Sequence, residues 1–404
     1  MEDLPSYTPE VLPGYDLTPA TTRSPPSTRP SSPTPFLARA RNHENFCYRS
    51  ERMRLDLGLR RWGTRLPAYG KSGKVEGTVR VHSFSHVERI VVRLIGKMHA
   101  SHVVNYIPTL SQSHYIIDKE IELWSAKAPS ASIWAEEAQF PFSFTLDKEF
   151  EGTEDKSIPP SATIQLHRAN ARIAYAIKVD MYRRGLHMHE MIQTEVLHLP
   201  RTVAHYSRPF IPELGNEKRP SISESEWSRS QLQFYSGKGP KLRSDCQKAP
   251  ELLLPRDLRF PSGEDIPFIV SIPETHESKL QVEIQLVRLS TVQTRAGAIQ
   301  QAKAISQGRI NEPSAPESTR TTVYGTISTG EAERDVSWNF GTLVSVSYEI
   351  RIGLSFSSMG SAWKLTIPIE LTSHEWRGEY SAMMPSLGSN AASRTAVNLI
   401  HMNI

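Results

Sequence analysis

The 404-residue sequence predicts an all-β chain of two consecutive antiparallel sandwiches behind a disordered, Pro-rich amino-terminal tail. Three observations carry that expectation. Ile173, Tyr175, Ile177, Val179 and Met181 alternate with Arg172, Ala174, Lys178 and Asp180. This is the period of a strand with one buried and one solvated face, because successive strand side chains point to opposite sides. The same period returns in the second half, most cleanly at Val344, Val346, Tyr348, Ile350, Ile352 and Leu354. No segment sustains a long helical period, and Pro and Gly clusters separate the alternating runs.

In chain order, residues 1–48 hold nine of the 29 prolines, with Ser and Thr between them. So few large apolar side chains cannot offset the entropy of ordering, which predicts a disordered tail. The first sandwich is expected over 49–206. Its first strand is read at Met53, Leu55, Leu57 and Leu59, followed by a turn around Tyr69. Val75, Gly77, Val79 and Val81 alternate with polar neighbours, Ile90, Val92 and Leu94 continue the pattern, and Tyr115, Ile117 and Ile121 to Leu123 form a weaker case. Phe140, Phe142, Phe144 and Leu146 supply a second wall of an aromatic-rich core. Pro159 and Pro160 have no N–H to give a ladder, so the Ile-Pro-Pro-Ser sequence at 158–161 marks the connection to the Ile173 strand. The segments 87–102 and 172–199 are expected to pair within sheets.

Residues 207–226 lack periodicity and read as a linker. The second sandwich is expected over 227–375, with alternation at Leu280, Val282, Ile284 and Leu286, then at Val344 to Leu354, then at Trp363, Leu365, Ile367 and Ile369. Between them, an insertion over 293–320 contains Ala296 to Gln307, a short helix on propensity. Residues 376–404 form a tail without a core pattern.

Composition narrows the function classes. Charged residues make up 22% with a formal net charge of +4, and no Lys/Arg-rich block stands out, which argues against a nucleic-acid-binding face. Cys47 and Cys246 match no zinc or redox spacing and suit a reducing compartment. No signal peptide and no apolar run near 18 residues is present, so a cytoplasmic chain without a transmembrane segment is expected, its membrane association borrowed from a partner. No phosphate loop, nucleophile elbow or His-Glu-x-x-His appears, and neither enzymatic activity, cofactor nor metal is expected. Dispersed carboxylates still leave open a site assembled by the fold. His187 and His189 share one strand face but lack a third ligand at a suggestive spacing, and read as solvated or hydrogen-bonded.

Two tail segments, Leu4-Pro5-Ser6-Tyr7 and Leu12-Pro13-Gly14-Tyr15, fit Leu-Pro-x-Tyr, a variant of the Pro-Pro-x-Tyr ligand of WW domains. A proline in extended polyproline geometry fills an aromatic groove while the tyrosine reaches a second pocket. Leu66-Pro67-Ala68-Tyr69 fits the same pattern but reads as an ordered turn entering a strand. Thr8, Thr18, Ser24, Ser32 and Thr34 each precede a proline, and Ser221 and Ser223 sit in the linker, all candidate phosphorylation positions.

Gly73-Lys74-Val75-Glu76-Gly77-Thr78-Val79, Ile90 to Gly96, Phe140-Pro141-Phe142-Ser143-Phe144, the Ile-Pro-Pro-Ser turn and the Ile173 strand, in that order, resemble the amino-terminal arrestin domain. More narrowly, they resemble the fungal alpha-arrestins, or arrestin-related trafficking adaptors. The second half, with Pro-Ser-Gly-Glu-Asp-Ile-Pro-Phe at 261–268, is similar to the carboxy-terminal arrestin domain. The resemblance implies two immunoglobulin-like sandwiches in an adaptor that recruits a WW-domain HECT-type ubiquitin ligase to membrane transporter or receptor tails. It also implies recruitment to the plasma membrane or endosomes, where cargo is ubiquitinated and endocytosed. The amino-terminal position of the motifs departs from the family's usual carboxy-terminal one. Two alternatives remain: a structural endosomal-trafficking scaffold of the same fold, as in retromer subunits, which has no reason to carry Leu-Pro-x-Tyr; and an unrecognised ligand-binding or enzymatic β-sandwich.

Overall fold

A computed structural model of the chain describes residues 45–127, 138–146, 158–185, 189–205, 225–235, 249–273, 280–311, 320–356, 362–375 and 384–387. These residues form strands and turns with no helix among them. Residues His43–Ile404 cluster as one compact unit.

The first half contributes β1 (Asn45–Arg49), β2 (Met53–Leu59), β3 (Ala68–Tyr69), β4 (Lys74–Val81), β5 (Val87–Val104), β6 (Ile107–Ser125), β7 (Ala138–Thr145), β8 (Ala162–Gln165), β9 (Ala169–Arg183), β10 (Glu190–His198) and β11 (Val203–Ala204). One sheet runs β1-β2-β4-β7 and the other β3-β10-β9-β5-β6, with β8 on β9. The second half contributes β12 (Trp227–Gln231), β13 (Gln233–Tyr235), β14 (Glu251–Pro255), β15 (Arg259–Pro261), β16 (Asp265–Pro273), β17 (Leu280–Thr294), β18 (Gly297–Gln307), β19 (Arg309–Ile310), β20 (Arg320–Ser328), β21 (Trp338–Phe340), β22 (Val344–Phe356), β23 (Ala362–Thr372) and β24 (His374–Glu375). Here the sheets run β12-β14-β16-β20-β19 and β13-β23-β22-β17-β18, with β15 on β23 and β21 on β22.

Alternation decides what is buried. Val75, Val79, Phe142 and Phe144 of the four-stranded sheet share one buried cluster with Ile90, Leu94, Ile173, Ile177 and Val179 of the sheet opposite. The aromatic run and the Ile173 strand thus line facing walls of the same core. β5 and β9 pair antiparallel with Leu94 opposite Ile177, so the segments 87–102 and 172–199, expected to pair within sheets, are neighbours in one sheet.

A polar lock sits inside this apolar core. Tyr175 points inward from β9, and its hydroxyl donates to the Pro159 carbonyl at 2.6 Å. The His198 ring lies 3.1 Å from the same oxygen through Nδ1. A carbonyl only accepts, so Nδ1 carries the proton. Gly96 lies opposite Tyr175 on β5 and makes room for its ring, since a Cβ there would fall 2.7 Å from it. The proline that cannot donate to a ladder therefore accepts two hydrogen bonds from within the core.

Four expectations change. β1 starts at Asn45 and buries Phe46, so the tail boundary at 48 lies too late and Met53 begins the second strand. Ala296 to Gln307 is no helix: it forms β18, paired to β17 from Thr294 opposite Gly297 through Val287 opposite Ala304. A cross-strand ladder outweighs the few tenths of a kcal/mol per residue that helix propensity offers. Part of the presumed 293–320 insertion is thus sheet. In the carboxy-terminal tail, Leu387 is buried beside Ala68 and Leu197. The polar face of β9 is not simply solvated either. The Asp180 side chain has no exposure and meets Lys178 Nζ and His189 Nε2, each at 3.0 Å.

Two predictions follow from this packing. Ile177 is fully buried, so Ile177→Asp should cost several kcal/mol and unfold the first sandwich in a urea titration. Lys178→Asp should cost about 3 kcal/mol because it removes a partner of a buried carboxylate and adds a like charge. The exposed Gln193→Asp should be nearly silent. Equal urea midpoints for Lys178→Asp and Gln193→Asp would contradict the Asp180 pairing. Separately, burial pulls the His198 imidazole down from 6.5 to about 4, with the Pro159 carbonyl opposing in part. Between those pH values the unfolded chain takes up a proton that the fold rejects. This stability is fully present above pH 6.5 and is lost as pH falls, by about 3 kcal/mol at pH 4. His198→Asn should flatten the fall in urea midpoint between pH 6.5 and 4.5, and an unchanged slope would count against the assignment.

Candidate functional site

One seam between the two halves is built from backbone and short polar side chains. β11 and β24 pair in parallel, Val203 opposite His374 and Ala204 opposite Glu375. Just before them, Thr202 and Ser373 bond reciprocally: the Thr202 N–H donates to Ser373 Oγ at 3.0 Å and the Ser373 N–H to Thr202 Oγ1 at 2.9 Å. Glu333 holds the next layer. Its carboxylate lies 3.0 Å from His374 Nε2 and accepts the Leu387 N–H at 3.0 Å. The Ser386 N–H in turn donates to the Leu199 carbonyl at 2.9 Å. Pro385 to Leu387 therefore straps both halves together, with Leu387 seated against Trp62, Leu66 and Leu199. Glu333 adopts a left-handed φ of 63°, an unfavourable conformation for a side-chain-bearing residue that this convergence of bonds offsets. Sequence periodicity could not reveal this seam, because its strands are only two residues long and its side chains bond through backbone and hydroxyls.

A shallow groove crosses the outer face of the four-stranded sheet, lined among others by Asn45, Asp56, Glu76, Thr78, Arg80 and Ser143. These side chains occupy the outward positions of strands whose inward positions are Leu55, Val75, Val79 and Phe142. The Asn45 amide reaches both Asp56 carboxylate oxygens at 3.0 Å, and the Gly58 N–H donates to Oδ1 at 2.9 Å. Burial pushes the Asp56 carboxyl up, but the bonds from Asn45, Gly58 and Cys47 and the Arg54 charge outweigh it and hold the group below its ordinary value. An acid kept ionised in this way is unsuited to protonate a leaving group, the task that requires a raised carboxyl. The groove presents charged groups and hydroxyls at its floor and walls.

The sequence-predicted positions divide sharply. Leu4, Pro5, Tyr7, Leu12, Pro13 and Tyr15 lie outside the described residues, as do Thr8, Thr18, Ser24, Ser32, Thr34, Ser221, Ser223 and His187. The third Leu-Pro-x-Tyr copy is ordered. Pro67 and Ala68 are buried, Ala68 and Tyr69 form β3 against Leu197 and His198, and the Pro67 and Tyr69 carbonyls accept the N–H groups of Leu197 and Leu199 at 2.8 Å. Burial also pushes the Tyr69 hydroxyl up, aided by the nearby Tyr48 and Glu76. Among the histidines, His189 meets Asp180 and stacks on Tyr182 with ring centroids 4.9 Å apart. Among the described residues no three His, Cys, Asp or Glu side chains gather into a metal-sized group.

No family model matches the chain, and no curated protein matches it.

Proposed function

We propose that this protein is an arrestin-like adaptor, closest in kind to the alpha-arrestins, that brings a WW-domain HECT-type ubiquitin ligase to a membrane cargo. The observation that carries the reading is the contrast among three copies of one motif. Leu66 to Tyr69 is consumed by the fold, its proline buried and its carbonyls bonded to β10. The copies ending at Tyr7 and Tyr15 lie outside the described residues, in the Pro-rich stretch that the sequence predicts to be disordered. A WW groove needs an extended proline with an accessible tyrosine, a requirement that the packed copy fails.

The two-sandwich body gives the other half of the role. A seam of reciprocal hydrogen bonds holds the halves in one compact unit, so a cargo tail would meet a fixed surface, such as the polar groove beside Asp56. Two weak motifs eight residues apart bind a ligase with several WW domains more tightly than either alone, provided their spacing permits simultaneous engagement. Phosphate at Thr8, adjacent to Tyr7, would add charge at the motif's edge and tune that engagement. In this reading the protein works in the cytoplasm at the plasma membrane or endosomes, and it carries out no chemistry of its own.

The test compares Tyr7→Ala, Tyr15→Ala and the double variant for ligase capture, cargo ubiquitination and cargo uptake. Each single variant should weaken ligase capture partially and the double should abolish it, with thermal melting unchanged. Normal cargo ubiquitination and uptake in the double variant would discard ligase recruitment in favour of a structural trafficking scaffold.

A further inference from the structure

The longest hairpin among the described residues ends in an apolar tip. β5 and β6 run 18 and 19 residues and are joined through Asn105 and Tyr106, whose φ values of 50° and 65° are both left-handed. That is the two-residue turn that matches strand twist, with a tyrosine where Asn-Gly would be the easy choice. Tyr106 is 99% exposed, Ile107 64% and Leu110 55%, with Val104 alongside at 46%. Leu110 is itself left-handed at 44°, and the β5–β6 register slips between Ala100 and His102, so the end of the hairpin is reshaped relative to its base. Four large apolar side chains held in solvent within seven residues, partly by unfavourable backbone, need a partner to cover them.

The surroundings point to the partner's charge. The Val103 N–H donates to the Arg168 carbonyl at 2.8 Å, which sets exposed His167 and Arg168 beside the tip. Gln112 Nε2 donates to the Gln293 carbonyl at 2.7 Å, bringing in the β17–β18 turn with its exposed Arg295. The His167 N–H reaches Gln301 Oε1 on β18 at 3.1 Å. Across the segments that build this end of the molecule, 97–117, 161–179 and 284–311, the sequence contains no Asp or Glu, although the chain has 43 of them.

We propose that the β5–β6 tip inserts into the headgroup region of an anionic lipid bilayer, with Tyr106, Ile107 and Leu110 entering and Arg168 and Arg295 resting on the acidic surface. A protruding hairpin apex offers no concavity to grip a peptide, but its shape suits shallow insertion. Aromatic and aliphatic side chains with a cationic surround are the composition that interfacial anchors share. Acidic lipids attract such cations over a Debye length, and salt weakens the attraction. Membrane contact is then partly intrinsic to this chain and not only borrowed from cargo. The inference goes beyond ligase recruitment, and an assay without ligase or cargo lets either idea fail alone.

The experiment is co-sedimentation of the full chain with vesicles of phosphatidylcholine alone or with phosphatidylserine, together with Tyr106→Trp fluorescence. Binding should be at least tenfold stronger on the phosphatidylserine vesicles and should drop at 0.5 M salt, about where the Debye length nears 4 Å. The Trp emission should shift to the blue on those vesicles. The triple variant Tyr106→Ser/Ile107→Ser/Leu110→Ser should lose at least tenfold in binding with unchanged melting. Equal binding to both vesicle types, equal binding by the triple variant, or an unshifted Trp spectrum would each overturn the proposal. A triple variant that keeps vesicle binding but loses capture of a membrane-protein tail would make the tip a protein-docking site instead.

Discussion

The first sandwich depends on a hydrogen bond that an apolar core would seem to forbid, from the Tyr175 hydroxyl to the Pro159 carbonyl at 2.6 Å. Proline cannot donate to a ladder, yet its carbonyl is a strong acceptor that must be satisfied when buried. Tyr175 and His198 both supply it, and in doing so they pin the 158–161 connection against β9 and β10. The lock reaches the next strand through Gly96, where the absence of a side chain admits the tyrosine ring. Losing the Tyr175 bond would leave a buried hydroxyl unpaired at a cost of about 1–3 kcal/mol, while the carbonyl keeps its His198 donor. The second sandwich uses the same device: Tyr348 on β22 is fully buried and its hydroxyl faces Asp335 at 3.3 Å. Burial, reinforced by the Asp335 charge, pushes that hydroxyl up, so it remains a donor.

From the locks outward, the seam converts two sandwiches into one compact unit. Thr202, Ser373 and Glu333 bond to backbone across it, and Leu387 closes it from the carboxy-terminal side. Under the proposed adaptor role, such a body would present the groove beside Asp56 and the β5–β6 tip in a fixed relation to each other.

Much of the fold was legible because strand burial leaves a period of two. Ile173 to Met181 and Val344 to Leu354 announced their faces, and the Pro-Pro turn announced a connection. The seam left no such trace: a parallel pair of two-residue strands at 203–204 and 374–375 has no periodicity to read. β18 was missed because Ala, Gln and Lys favour helices locally, and only the ladder with β17 decides otherwise. Asp180 looked solvated by its position on the polar face, yet its side chain is enclosed and held by Lys178 and His189. The exposed apolar tip at Tyr106 to Leu110 was invisible for the opposite reason, since Val-Val-Asn-Tyr-Ile reads as ordinary strand and turn until its exposure is known.

If the proposed ligase link holds, the accessibility of each Leu-Pro-x-Tyr copy, and not its sequence, decides which copy is bound. Hydrogen-exchange mass spectrometry of the intact chain with and without a tandem WW fragment tests it most directly. The account predicts new protection in peptides covering residues 4–7 and 12–15, and unchanged, already slow exchange at 66–69. Protection appearing at 66–69, or none at either amino-terminal motif, would contradict it.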